Sequence, residues 1–205
     1  MDKQKYIEDI VEIKKIMDRS SRFISLSGLS GVLAGLFALV AAYLAYETIY
    51  SGQYYMEYRS AKLTMETLTQ LITIAIVTII LSIGFGIFLT TRKAKRLNQS
   101  IFDQQAKLML INLAIPLVAG GILCLILLIK GGIALVAPLT LIFYGLALVN
   151  ASKYAVTAMR NLGLIEISLG LISVWYLGYG LIFWAIGFGV MHIIYGIVMH
   201  LKDEA

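Results

Sequence analysis

Six runs of about twenty apolar residues follow one another from Phe23 to His200, separated by short charged or glycine-bearing links. A helical run of that length spans about 30 Å of hydrocarbon. Inside lipid each run must satisfy its own backbone hydrogen bonds, which single helices do and open strands do not. The expected fold is therefore all-α, a polytopic membrane bundle of six transmembrane helices. The chain is 60% hydrophobic and 14% charged, against an apolar share of about 45 to 50% in soluble domains. Six spans in 205 residues leave no room for a second globular domain. The expected division is a cytoplasmic amphipathic helix over residues 1–22, a transmembrane domain over 23–200 and a cytoplasmic tail over 201–205.

In the N-terminal segment Tyr6, Ile10, Ile13 and Met17 recur at spacings of four, three and four, which lines them on one helical face. That face suits either the membrane surface or the underside of the bundle, and a short coiled coil between protomers is the alternative. The first apolar run is too long for a signal-peptide core and follows some twenty polar residues, so an uncleaved signal anchor is expected. Fourteen of the 17 Lys and Arg fall in the N-terminal segment, after span two, after span four and in the tail, whereas Arg59, Lys62 and Lys130 lie on the other side. The positive-inside rule then puts both termini in the cytoplasm. This distribution also accounts for the net charge of +5 without nucleic acid. The single cysteine, Cys124, lies within an apolar run and can form no intramolecular disulfide.

Small residues mark the expected contact faces. In span one, Gly28, Gly31, Gly35, Ala38, Ala42 and Ala45 repeat at three and four residues, a seam along which another helix can approach closely. The tyrosines at its far end (Tyr43, Tyr46, Tyr50, Tyr54, Tyr55 and Tyr58) suit an interfacial belt, with an external ligand site as the alternative. Span two carries Ala75, Thr78, Ser82 and Gly86 on one stripe, and its hydroxyls can bond back to the helix's own carbonyls. Span three contains Pro116, which should kink or locally open the helix. A weak repeat, Asn112-Leu113 with Asn161-Leu162, Gly121 with Gly170, Gly131 with Gly180 and Tyr144-Gly145 with Tyr195-Gly196, predicts three related hairpins around a shared core.

The last two runs, Asn161 to His200, hold an acid and an imidazole where hydrocarbon is expected. Gly163, Glu166, Gly170 and Ser173 share one face of span five, and Ala185, Gly189, His192 and Gly196 share one face of span six. Counted from the turn at Leu177 to Gly180, eleven residues lead back to Glu166 and twelve lead on to His192, so the two fall at nearly the same depth. Glu166 and His192 are thus expected to meet across the seam of the last hairpin. A lone charge at mid-span costs about 2.5 to 3.5 kcal/mol, and a proton shared between carboxyl and imidazole would satisfy both groups. A structural hydrogen bond that fixes helix register, a proton or ion pathway and a ligand site are the three open readings. Asn112, Asn150, Asn161, Ser30 and Tyr195 fall towards the cytoplasmic half, where they could line a vestibule.

No zinc-protease His-Glu-x-x-His, Gly-x-Ser-x-Gly elbow, phosphate loop, paired Cys-x-x-Cys or acidic cluster for a divalent metal occurs in the chain, so neither metal nor cofactor is expected. Gly28-Leu29-Ser30-Gly31 loosely resembles the serine motif of rhomboid intramembrane proteases, with His192 in a sixth span as the partner base. That motif belongs to a later span in rhomboids, and their oxyanion-stabilising residues have no counterpart, so an intramembrane serine protease is only a remote alternative. The six spans and the recurrent Gly-x6-Gly faces resemble small six-helix bacterial membrane proteins of the acid-resistance HdeD type. The long charged N-terminal helix and the tyrosine-rich first loop depart from that pattern, and no functional residue is carried over. The first reading of the whole chain is a non-enzymatic integral membrane protein of a bacterial inner membrane, of unknown biochemical activity, with a stress-related, sensory or partner-binding role. A homo-oligomer or a membrane or cytoplasmic protein partner is expected besides the bilayer. The alternative is a small proton-linked channel or transporter using Glu166 and His192.

Overall fold

The computed structural model describes residues 10, 27–50, 64–96, 104–155 and 157–204, with side chains up to residue 201. Apart from Ile10, the expected amphipathic helix over residues 2–19 lies outside the described residues, as do Tyr54, Tyr55 and Tyr58 and the link after span two. Within them the chain is an all-α bundle with six apolar helical spans long enough to cross a membrane. These are α1 (Gly28–Tyr50), α2 (Met65–Arg96), α3 (Gln104–Ile129), α4 (Val136–Ala151), α5 (Thr157–Trp175) and a sixth span built in pieces. The sixth span begins with a 3-10 turn (Leu177–Tyr179) and continues through α6 (Gly180–Trp184), a π-helical segment (Ala185–Met191) and α7 (His192–Glu204).

Local chemistry accounts for where these elements start and stop. Thr64 caps α2: its hydroxyl oxygen accepts the Thr67 backbone N–H at 3.1 Å. The far end of α2 carries Lys93, Lys95 and Arg96 in its last turn, where cations complement the helix dipole. Thr69, Thr73 and Thr78 each bond back to the carbonyl four residues earlier, so these hydroxyls serve the helix itself. Between α3 and α4 the chain reverses at Gly131, whose φ of 79° is the left-handed conformation that glycine adopts most readily. Pro138 sits in the first turn of α4, where a missing N–H costs little.

Pro116 has a wider consequence. Without an N–H it leaves the Asn112 carbonyl of α3 with no helical donor, and the side chain of Asn150 on α4 supplies one at 2.9 Å. Asn112 in turn donates from its own side chain to the Leu108 carbonyl at 2.8 Å. Two residues read as vestibule candidates are therefore engaged in joining α3 to α4.

The glycine faces decide which helices meet. A Cβ on Gly145 would stand 2.5 Å from the Gly163 carbonyl oxygen, and one on Gly163 would stand 2.7 Å from the Gly145 oxygen, so α4 and α5 touch backbone to backbone. Gly170 lies against Ile142 and the Pro138 carbonyl on the same seam. On the other side α1 meets the sixth span: Gly28 against Gly196 and His200, Gly31 against Gly196, and Gly35 against Gly189 and Ile193. The small residues of the last two spans thus face α4 and α1 rather than each other. The seam was expected between α5 and the sixth span, and those two meet chiefly around Glu166, His192 and Gly187.

Two groups of three helices result, with α1 between α2 and the sixth span and α4 between α3 and α5. Gly120, one residue before the glycine of the expected repeat, carries the α3–α4 contact by lying on the Phe143 ring, and Gly121 faces open space. Within the repeat, Gly121 and Gly170 therefore have different surroundings. Tyr144-Gly145 and Tyr195-Gly196 are used alike: each glycine docks on a neighbouring backbone and each tyrosine faces the bundle interior.

The bundle has two chemically distinct ends. One carries Arg92, Lys93, Lys95, Arg96, Lys107, Lys153 and Arg160 and is called the basic end. The other presents exposed Trp175, Tyr176 and Tyr179 beside the tyrosines that close α1, and is called the aromatic end. Outward faces are apolar along most of α2 and α3, as a lipid-facing surface requires.

Candidate functional site: a buried carboxyl behind a histidine

On α5 the residues Met159, Leu162, Gly163, Glu166, Gly170 and Ser173 form one buried stripe. Glu166 is at its middle and is wholly inaccessible, as is Ser173 two turns further towards the aromatic end. Among the described residues neither carboxyl oxygen of Glu166 has a hydrogen-bond partner, nor does the Ser173 hydroxyl. His192 approaches the carboxyl, its Nδ1 lying 3.5 Å from Glu166 Oε1.

The sixth span makes this approach possible by changing its pitch. Over Ala185–Met191 it is π-helical, and the imidazole of the next residue folds back so that His192 Nδ1 lies 3.1 Å from the Gly187 carbonyl oxygen. A carbonyl only accepts, so Nδ1 carries the hydrogen. In the neutral ring Nε2 is then the acceptor, and the Tyr144 hydroxyl, 2.7 Å away, donates to it. Phe188 stacks on the imidazole with ring centroids 5.9 Å apart and packs on Tyr144 at 4.8 Å, fixing both rings from the side.

Gly187 itself is pressed on the carboxyl: a Cβ there would collide with Glu166 Oε2 and come within 2.6 Å of the Leu141 side chain. The two glycines of this segment, Gly187 and Gly189, address different neighbours. Gly187 faces Glu166, whereas Gly189 faces Leu39 of α1. A π-segment near mid-membrane is a common way to re-aim a side chain at a functional centre.

Towards the basic end the site opens on a cleft of about 270 Å³ to which all six spans contribute. Tyr144 and His192 lie in its wall, with Ser30 and Gly31 of α1, Gly86 of α2 and Met109 of α3 among the other lining residues. A Cβ on Gly86 would meet nothing within 4 Å, so this stretch of α2 borders open space. Towards the aromatic end the picture reverses: Pro138, Leu141 and Ser173 are fully buried. A shallow hollow of about 410 Å³ lies at the other end of the bundle, between Leu44, Glu47 and Thr48 of α1 and Thr69, Gln70 and Thr73 of α2, away from the titratable pair.

The structure thus brings Glu166 and His192 together and places Tyr195 in the cleft wall. It leaves Asn161 exposed and uses Asn112 between α3 and α4. Tyr144 and Gly187 were missed by sequence reasoning. Tyr144 was visible only as part of the repeat, and Gly187 lies off the small-residue face when α-helical periodicity is assumed. Ser30 and His192 border the same cleft, but the Ser30 hydroxyl donates to the Ser27 carbonyl, and both imidazole nitrogens have other partners. That arrangement gives no support to a serine–histidine dyad, which needs the two in hydrogen-bond contact. Searches of protein-family models, curated proteins and solved structures give no match to this chain.

Proposed function

We propose that this protein is a small proton-linked membrane transporter in which Glu166 and His192 hold the exchangeable proton and Tyr144 connects them to the cleft. One observation carries the reading: a fully buried carboxyl whose oxygens have no hydrogen-bond partner among the described residues, 3.5 Å from an imidazole. A group built for stability alone would have its lone pairs satisfied, because an unpaired buried polar atom costs about 1 to 3 kcal/mol. Ionisable residues inside the membrane mark proton and ion pathways far more often than surface ones do.

As part of the same proposal, the protein lies in a bacterial inner membrane with both termini in the cytoplasm and the basic end inward. The lysine and arginine distribution supports this orientation. The cleft then faces the cytoplasm, and the packed residues beyond Glu166 form the closed side of an alternating-access cycle.

The same packed layer of Pro138, Leu141 and Ser173 favours a second reading, in which no solute crosses and the site is sensory, within a stress-related or partner-binding protein, alone or as a homo-oligomer. Proton flux into liposomes containing the purified protein separates the two. Flux that disappears in folded Glu166→Gln and His192→Ala proteins is the expected result; no flux in the parent protein, either alone or with a panel of small cationic, anionic and neutral solutes present on one side, rejects transport and leaves the sensory reading.

A further inference from the structure

The six spans follow an open curve rather than a closed ring. α2 packs on α1 and α3 packs on α4, and among the described residues α2 and α3 make no extended contact with each other. Both nevertheless line the cleft, α2 with Ser82 and Gly86 and α3 with Met109 and Leu113. Besides its mouth at the basic end, the cleft therefore has a side opening between α2 and α3 that looks onto the bilayer. The open space beside Gly86 belongs to that gap.

Its depth is that of one leaflet. On α1 the wall runs from Ser27 to Ala34 and on the sixth span from Met199 to His192, seven residues each, or about 10 Å along the membrane normal. Every lining residue lies between the middle of its span and the basic end. Most of the wall is apolar and adaptable, with the thioethers of Met109, Met159 and Met199 beside Leu113, Leu148 and Leu162. Its hydroxyls are compatible with a chain lying there. Ser30 donates to the Ser27 carbonyl and Tyr144 to His192, and Ser82, like Thr78 one turn earlier, has carbonyls of its own helix within reach. Ser27 and Tyr195 lie nearer the mouth, at the level where a glycerolipid carries ester oxygens that accept hydrogen bonds.

The mouth is positively charged on the side of the opening. Lys93 and Arg96 stand seven and ten residues beyond Gly86, on the same face of α2, and Arg92 and Lys95 flank them. The first turn of α3, across the gap, carries no acid. Long basic side chains at this level reach phosphate groups while their stems stay in apolar surroundings. From the side opening, the one-leaflet depth and the charge at the mouth, we infer that the cleft binds an anionic phospholipid of the surrounding bilayer. One acyl chain enters between α2 and α3 and lies along the methionines, and the phosphate sits at Lys93 and Arg96. This site does not depend on the proton-linked reading.

The test is photocrosslinking of the full-length protein in nanodiscs, with phosphatidylglycerol or phosphatidylcholine carrying a diazirine half-way along one acyl chain. Peptide mass spectrometry is expected to place the label on Met109, Met159 or Tyr195, with phosphatidylglycerol about tenfold more effective than phosphatidylcholine at equal mole fraction, as two basic side chains beside one phosphate provide. Gly86→Leu, which fills the gap without meeting a neighbour, should remove this labelling while sparing the melting temperature and the labelling of outward-facing Ile80 and Ile115. Lys93→Gln together with Arg96→Gln should bring the two lipids within about twofold of each other.

Label confined to outward-facing residues, equal cleft labelling by the two lipids, or cleft labelling that survives Gly86→Leu would each overturn the inference. The label positions in the unmodified protein decide the matter even if a variant does not fold. Proton flux is a separate readout: cleft labelling without flux keeps the lipid site and counts against transport, and flux without cleft labelling does the reverse.

Discussion

Glu166 separates a functional carboxyl from a structural one by a property of its two oxygens. Because neither is hydrogen-bonded among the described residues, replacing the side chain by the similarly shaped Glu166→Met removes unsatisfied atoms and should leave stability unchanged or raise it by up to about 2 kcal/mol. Thermal unfolding in detergent checks this, and a clear drop in melting temperature would make the residue a clasp. Tyr144→Phe deletes only the hydroxyl that donates to His192 Nε2; it should cut proton flux at least tenfold at nearly unchanged stability. A different residue-scale test concerns the Asn112 carbonyl orphaned by Pro116. Asn150→Leu should cost about 1 kcal/mol, and less than half of that in a Pro116→Ala background, where the helix regains its own N–H donor. Glu166 and His192 were legible in the sequence because ionisable groups stand out in an apolar run. Tyr144 was not, since a tyrosine becomes a proton partner only through a neighbour 48 positions away.

At the scale of elements, the existence of the six spans follows from hydropathy alone. Which spans pair does not follow in the same way. The small-residue faces at Gly28, Gly31, Gly35, Gly163, Gly170, Gly189 and Gly196 all lie in close contacts, but a face states that some helix will come near without saying which. The π-segment was equally hidden, because its wider turn shifts the phase of every residue after Ala185 relative to an α-helical count. Glycines can be ranked accordingly. Gly145→Ala places a methyl 2.5 Å from a backbone oxygen and should destabilise by about 1 to 3 kcal/mol. Gly121→Ala points into open space and should be neutral or stabilising by up to about 1 kcal/mol. Equal effects of the two in a denaturation series would mean that α4 and α5 do not meet at this seam.

Considered whole, the molecule joins its first span to its last. Gly28 and Gly196 face each other across that join, although some 170 residues separate them. Ribosomes add about 5 to 20 residues per second, so α1 waits roughly 10 to 30 s in the membrane before its partner is made. During that interval its glycine face is free to pair with other nascent helices, and the cell's membrane chaperones and proteases have time to act on it. Biogenesis, rather than the finished fold, is therefore where substitutions on the α1 face should first be felt: a Gly35→Leu chain should be degraded during or soon after synthesis, before any unfolding of mature protein could be measured.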